Sequence, residues 1–303
     1  MKASLILTNA RSAQMAQSLG LESPQSSARC AICHSPFAAV SQARLAQPEH
    51  RDMGVSCESC HGPAEPWLRS HTRRDYTYAM RVGSGLRDLR SIYVRANVCV
   101  TCHQVIEKDI AAAGHPPLFF ELTTQLESEP PHWRELGDRP MRVWLTGQAV
   151  ALRELSWNGN RRHSDNDDGQ RAALAWLLAK VTAANKALPK IDEQAPLEAT
   201  QHAADELARL ASKQAPSDDG SNVMRLLSST ETDFMPAGAR SDEIIYYRAK
   251  RTVLAFDALV SNPSSSPELR QLEGDVGSSS SFDSQTFGRH LEAFRLKLDS
   301  LRR

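Results

Sequence analysis

The sequence predicts an all-α protein built from two parts that differ in composition. All six cysteines and seven of the ten histidines fall within residues 1–135, where short helical segments alternate with turns and strand character is scarce. From residue 136 onward there is no cysteine, and apolar residues recur at helical spacing. We therefore expect a cysteine-rich domain with little regular secondary structure over 1–135, followed by a helical domain of unknown role over 136–303.

The helical part is predicted element by element from its periodicity and its breakers. The pattern predicts helices over 142–157, over 171–188 before Pro189, over Leu197–Lys213, and over 242–260 with Ser241 as a possible N-cap. A final helix is marked by apolar residues at alternating steps of four and three: Phe287, Leu291, Phe294, Leu298 and Leu301. We expect unfolded linkers at residues 214–221 and at the Ser-rich stretches 261–266 and 278–281, which lack the apolar residues to fold alone.

Charge and hydropathy exclude several classes of partner. The 303 residues include 36 basic and 36 acidic side chains, so no global field recruits nucleic acid or an anionic membrane. The longest apolar run, residues 172–179, is far shorter than the roughly 18 to 20 residues that span a bilayer. Residues 1–8 begin like an export signal, but their apolar run of about five residues falls short of roughly 7 to 15. We expect that the signal is missing from this chain or that export takes another route.

The cysteines form three identical five-residue patterns, each ending in histidine. They are Cys30, Cys33 and His34; Cys57, Cys60 and His61; and Cys99, Cys102 and His103. Two thiols three positions apart can each add to one vinyl group of the same porphyrin, and the adjacent histidine then reaches the iron. The spacing predicts three covalently attached haem c groups, with His34, His61 and His103 as iron ligands.

Other sites also use pairs of cysteines two residues apart. A zinc ribbon, a disulfide framework and a thioredoxin-type redox pair are the alternatives. None of them requires a histidine directly after every second cysteine, and no cysteine is left over here. Haem attachment is therefore the prediction that the sequence favours.

A second axial ligand decides whether each iron carries electrons or reacts with substrates. Outside the motifs the first part holds four histidines, which is enough for three bis-histidine irons: His50, His71, His115 and His132. His115 lies in Gly114-His115-Pro116-Pro117, a plausible rigid ligand loop, and His132 has a similar lead-in. The spacing leaves open which of the two serves the third haem. Met53 and Met80 are weaker alternatives, because Met more often fills gaps in a core.

Arginine is concentrated beside the motifs. Seven arginines lie between Trp67 and His103, at positions 69, 73, 74, 81, 87, 90 and 95. Guanidinium groups pair with carboxylates through two hydrogen bonds, so these residues could compensate haem propionates. A solvated basic face and a docking patch for an acidic partner are the alternatives.

The stretch Val55 to Pro63, followed by His71 ten residues after His61, resembles the cytochrome c-554 family of multihaem carriers. The resemblance covers residues 30 to about 132. It implies that His71 ligates the haem on Cys30 and Cys33, and that His50 ligates the haem on Cys57 and Cys60. This chain has no fourth motif, so the five-coordinate haem of that family has no counterpart here.

These observations together predict a periplasmic trihaem cytochrome that transfers electrons between redox partner proteins, and they favour a carrier over an enzyme. Two alternatives stay open. One is a haem enzyme in which a five-coordinate iron, next to Tyr76, Tyr78 or Arg95, reduces a small nitrogen or oxygen species. The other is a haem subunit of a larger respiratory complex in which the helical part is a docking platform.

Overall fold

The computed structural model describes residues 3–35, 54–128, 140–162, 167–214, 220–234, 242–260 and 266–300. Across these ranges the regular secondary structure is helical throughout, which confirms the all-α fold class. The chain divides into two compact units, a first unit over 1–119 and a second unit over 120–303. The second unit thus begins ahead of residue 136, where the composition changes.

The first unit consists of short helices joined by turns. They are α1 (Ala3–Ile6), α2 (Ala10–Ser18), α3 (Ala28–His34), α4 (Cys57–His61), α5 (Tyr78–Gly83), α6 (Ile92–His103) and α7 (Lys108–Ala112). The longest is α6, which begins where the Ser91 side chain accepts a hydrogen bond from the Val94 amide at 3.4 Å. Its buried residues Ile92, Ala96 and Val100 recur every fourth position and so lie on one stripe. Helix α6 contacts α4, and α1 contacts α3.

The second unit is a bundle of longer helices. They are α8 (Leu122–Ser128), α9 (Pro140–Arg162), α10 (Asp168–Ala184), α11 (Leu197–Lys213), α12 (Ser221–Ser228), α13 (Asp242–Leu259), α14 (Pro267–Asp275) and α15 (Ser284–Ser300). Helix α9 contacts α8, α10, α11 and α13. Its buried residues include Trp144, Leu145, Val150 and Leu152, which surround the helix axis. A helix apolar on all sides belongs at the centre of a bundle.

A group of aromatic side chains also packs in the core of the second unit. The Phe287 ring lies 4.8 Å from the Phe234 ring, and Phe234 lies 5.9 Å from Trp176. On α15 the side chains of Phe287, Leu291 and Phe294 are buried. The apolar seam read from the sequence of this helix is therefore a core face.

Several boundaries differ from the sequence prediction. Helix α9 extends beyond the predicted 142–157 at both ends, and α12 begins at Ser221, which was predicted to belong to a linker. Helix α10 stops at Ala184 and does not continue to residue 188, because Asn185 adopts an extended conformation. Lys190 donates to the Asn185 carbonyl at 3.2 Å, and Ile191 donates to the Thr182 hydroxyl at 3.2 Å, so these groups cap the helix in place of another turn. Residues 278–281, expected to be unfolded, contain one 3₁₀ turn at Ser279–Ser281. Ser241 lies outside the described residues.

The second unit also buries a polar cluster. The Arg251 guanidinium, 1% exposed, donates to the Phe120 carbonyl at 2.8 Å, and Gln148 donates to the Glu121 carboxyl at 2.6 Å. Burial raises the pKa of Glu121 to about 7, although Arg251 and the hydrogen bonds partly oppose the shift. Burial also lowers the pKa of Arg251 to about 10. The cluster therefore carries a titratable group near neutral pH.

Among the described helices, none combines the length and the apolar character that crossing a bilayer requires.

Candidate haem centre

Each of the three motifs closes a helix. The first motif ends α3 at His34, the second forms the whole of α4, and the third ends α6 at His103. In a helix, residues three positions apart share a face, so the two cysteines of each motif point to one side. None of the six cysteines, all of which lie in the described ranges, forms a disulfide. The local geometry thus presents two thiols and an imidazole at each of three helix ends.

The first and third motifs lie next to each other. The Cys33 and Cys102 side chains influence each other's titration: the interaction raises the pKa of Cys33 and lowers that of Cys102. Beside them, Arg29 of α3 forms ion pairs with Glu107 and with Asp109, the latter at 2.6 Å. These contacts tie α3 to the end of α6 and to α7. The spacing of the motifs in sequence gave no indication of this neighbourhood.

The second motif is held at both ends of its five-residue helix. At the start, the Ser56 amide donates to the Ser59 hydroxyl at 3.1 Å. At the end, Arg87 donates to the Cys60 carbonyl at 2.8 Å and to the Ser59 carbonyl at 3.2 Å, while its amide donates to the His61 carbonyl at 2.9 Å. A cation at the carbonyl end of a helix satisfies its unpaired acceptors. Arg87 is therefore a positioning residue that the sequence analysis placed only within a basic cluster.

Trp67 lies beside both His61 and His71. Its ring centre is 6.2 Å from that of each histidine, and its side chain is 4% exposed in a small core with Ala64 and Leu86. The His71 ring is exposed, and its Nδ1 atom bonds the Leu68 carbonyl. The structure thus brings His71 close to the second motif through a shared aromatic neighbour.

His115 lies against the first motif. Its ring centre is 6.4 Å from that of His34, and the two planes are inclined by 61°. The Nδ1 atom of His34 is 3.1 Å from the Ala3 carbonyl, and that of His115 is 2.8 Å from the Pro116 carbonyl. Burial lowers the pKa of His34, and the neighbouring His115 adds to this effect. The neutral form that results is the one that binds metals.

The remaining predicted ligands are divided between described and undescribed residues. His50, His132 and Met53 lie outside the described residues. Met80 is described and is 51% exposed. His103, at the end of α6, is exposed as well.

The enzyme alternative requires Tyr76, Tyr78 or Arg95 next to a five-coordinate iron, and all three side chains form hydrogen bonds with protein atoms. The Tyr76 hydroxyl donates to Ser84 at 2.6 Å, and the Tyr78 hydroxyl donates to Asp88 at 2.6 Å. Arg95 donates to the Leu89 carbonyl at 2.8 Å. These contacts give each group a structural role in the first unit.

The chemistry of the three motifs fits covalent haem. The six cysteines, which form no disulfide, lie in pairs at the required spacing. Backbone carbonyl groups bind Nδ1 of His34 and of His115, which leaves Nε2 of each ring for a metal. Large apolar side chains next to the motifs are exposed, including Ile32 at 61% and Leu68 at 52%. A porphyrin is an apolar surface of the kind that such side chains cover.

Comparison with known proteins adds an independent finding. Residues 2–62 match the family model described as cytochrome c554 and c-prime. This stretch is a cytochrome c554-like segment. It contains the first two motifs and confirms the family resemblance over residues 30–62. The match covers residues 2–62 of the 303, and over that segment the chain is similar to c-type cytochromes, which bind haem covalently. No curated protein and no solved structure matches the chain.

Proposed function

We propose that this chain is a periplasmic c-type cytochrome that holds three haems and passes electrons between redox partner proteins. The repeated arrangement of the motifs supports the proposal, because α3, α4 and α6 each end with two cysteines on one face and a histidine after them. The first motif also lies near the third, since Arg29, beside Cys30, pairs at 2.6 Å with Asp109, six residues after His103, so haems on these two motifs would be close to each other. Helix α6, which bears the third motif, also contacts α4, which is the second motif.

The residues of each motif would act together. At each cysteine the sulfur bonds to one vinyl carbon and the thiol hydrogen passes to the other, so the addition consumes no oxidant. His34, His61 and His103 would hold the irons from one side, and four residues are candidates for the other: His50, His71, His115 and His132. Bound haem supplies an iron that gains or loses one electron. With two imidazoles on each iron, no coordination position is open to a substrate.

The location follows from the attachment chemistry. Haem is coupled to such motifs on the outer face of the bacterial inner membrane, which supports a periplasmic site for the mature protein. The balanced charge of 36 basic and 36 acidic residues favours protein redox partners over nucleic acid. Membership of a larger respiratory complex, with the second unit as the docking part, is the alternative that isolation of a stoichiometric complex would support.

Mass and spectroscopy of the purified protein test the proposal. We expect an intact mass corresponding to three haems, low-spin EPR signals in the oxidised protein, and no CO binding after reduction. The variant C57S/C60S should lose one haem and keep two, which calibrates the count. Fewer than three haems in the unaltered protein, or CO binding by one of them, would overturn the proposed trihaem carrier.

A further inference from the structure

The separation of His34 and His115 matches that of two ligands on one metal ion. Their ring centres are 6.4 Å apart. An imidazole nitrogen binds a transition metal at about 2 Å, so two imidazoles on opposite sides of one iron have ring centres on the order of 6 Å apart. An ordinary edge-to-face contact between two rings also falls in this range. The distance alone therefore does not decide between them.

The hydrogen bonds of the two rings do distinguish them. In both histidines the Nδ1 atom faces a backbone carbonyl, Ala3 for His34 at 3.1 Å and Pro116 for His115 at 2.8 Å. A histidine that binds a metal through Nε2 ordinarily donates its Nδ1 hydrogen to such an acceptor, which fixes the tautomer and the ring orientation. An edge-to-face contact requires this of neither ring. Both histidines here have the arrangement of a metal ligand.

The loop that carries His115 is fixed by the surrounding helices. Gly114 has φ +105°, a conformation that L side chains rarely adopt. Arg11 of α2 donates to the Gly114 carbonyl at 2.6 Å, and the His115 amide donates to the Ile110 carbonyl at 3.2 Å. The ring is therefore held beside the first motif by two separate parts of the unit.

An ion pair fixes the same neighbourhood from the other side. Arg29, one residue before Cys30, binds Asp109 of α7 at 2.6 Å. Helix α3, which ends at His34, is thus tied to the helix that leads into the His115 loop. Motif and loop are connected through ionic, backbone and ring contacts.

We propose that His115 is the second axial ligand of the haem carried by Cys30 and Cys33, opposite His34, and that Arg11 is a positioning residue for it. The proposal rests on the proposed function, since it takes haem attachment at the first motif as given. The family resemblance gives this iron to His71 instead. Under the new assignment His71, with His50 and His132, is available to the second and third irons.

The variant His115→Ala, made in two backgrounds, tests whether His115 and His34 bind the same iron. His115→Ala is made in the full trihaem protein and in C30S/C33S, which lacks the first haem. In the trihaem protein we expect one haem to become high-spin and to bind one CO per chain after reduction. In the C30S/C33S background we expect both remaining haems to stay low-spin with His115→Ala present. His202→Ala, at an exposed histidine of the second unit, is the matched control and should change no haem signal.

A high-spin haem that appears with His115→Ala in both backgrounds assigns His115 to another iron and overturns the pairing. An all-low-spin spectrum of His115→Ala in the trihaem protein does so too. If C30S/C33S fails to fold, C99S/C102S replaces it, and there His115→Ala must still generate one high-spin haem. The intact mass of the unaltered protein separately decides the haem count, so failure of the proposed function and failure of the pairing give different results.

His115→Met gives a gentler test of the same assignment. Methionine can keep the iron six-coordinate, and replacing a histidine ligand by methionine raises the reduction potential. One of three potentials should rise in the trihaem protein, and none should change in the C30S/C33S background. Unchanged potentials in the trihaem protein would contradict the pairing.

Arg11→Gln tests the positioning role of Arg11, because it removes the guanidinium that binds the Gly114 carbonyl. We expect it to broaden the low-spin EPR signal of the haem on Cys30 and Cys33 and to leave the signals of the other two haems unchanged.

Discussion

The two units bury their side chains to very different extents. Among the largest fully buried side chains of the described residues, Ile92 belongs to the first unit, whereas Trp144, Trp176, Phe256 and seven others of the set are apolar residues of the second. The exposed large apolar residues show the opposite bias, with five of seven in the first unit. A unit of this size with so small a core needs cross-links or a cofactor to remain folded. We therefore expect the first unit to depend on bound haem to remain folded, and the second unit to remain folded without it.

The largest expected effect is the response to loss of haem. With all six cysteines replaced by serine, we expect the first unit to unfold because its apolar surface has no cover, while the second unit keeps its helices. Limited proteolysis followed by mass spectrometry should digest residues 1–119 and leave a stable fragment of about 120–303. The haem-loaded protein is the control. Equal protection of both units from proteolysis without haem would contradict the expectation that only the first unit needs haem to remain folded.

A cavity in the core of the second unit should lower the stability of that unit and leave the stability of the first unit unchanged. Phe287→Ala removes a fully buried ring that packs on Phe234 and Phe282, and we expect it to lower the free energy of unfolding by about 3–5 kcal/mol. Leu296→Ala, on the same helix but 56% exposed, is the control and should cost at most about 0.5 kcal/mol. Denaturant titrations followed by circular dichroism and by haem absorbance separate the units. A matching shift of the haem transition would show that they unfold together.

The smallest effect is a pH dependence confined to the second unit. The pKa of Glu121 rises from 4.5 to about 7 on folding because the carboxyl is buried. The folded state then binds more protons than the unfolded state between these values, so stability is highest below pH 4.5 and falls as pH rises through 7. The fall attributable to this group is on the order of 3 kcal/mol.

Glu121→Gln should flatten this dependence, since an amide keeps the hydrogen-bonding capacity without the charge. Glu206→Gln, at an exposed position on α11, is the matched control and should leave the slope unchanged. Unfolding free energies between pH 4.5 and 8 provide the measurement. A slope that persists in Glu121→Gln would assign the pH dependence to a different group.

The sequence was most informative where structure is local. Leu197–Lys213 was predicted with its observed bounds, because its periodicity and its breakers coincide. Helix α14 was missed although its signal was present, with Ser266 as the N-cap and Pro267 in the first turn. The type of cofactor, haem c, is likewise predicted from five contiguous residues in each motif. In each of these cases the relevant contacts lie within one turn of the chain.

The sequence was least informative about pairings between distant segments. The sequence contains four candidate histidines for three irons, but their spacing does not predict that His115 lies beside His34. Nor could the motif spacing show that Arg29, beside the first motif, binds Asp109, which follows the third. Such contacts depend on how turns direct the chain in three dimensions, and no local propensity encodes that direction.

The contact of Arg87 with the second motif has a consequence for the timing of biogenesis. The carbonyl end of that five-residue helix is completed by a guanidinium 27 residues downstream of Cys60. A nascent chain that ends before residue 87 therefore contains every ligating residue of the motif but not the contact that closes its helix. Residues that are contiguous in the gene thus become a finished attachment site only after a much longer stretch has been synthesised.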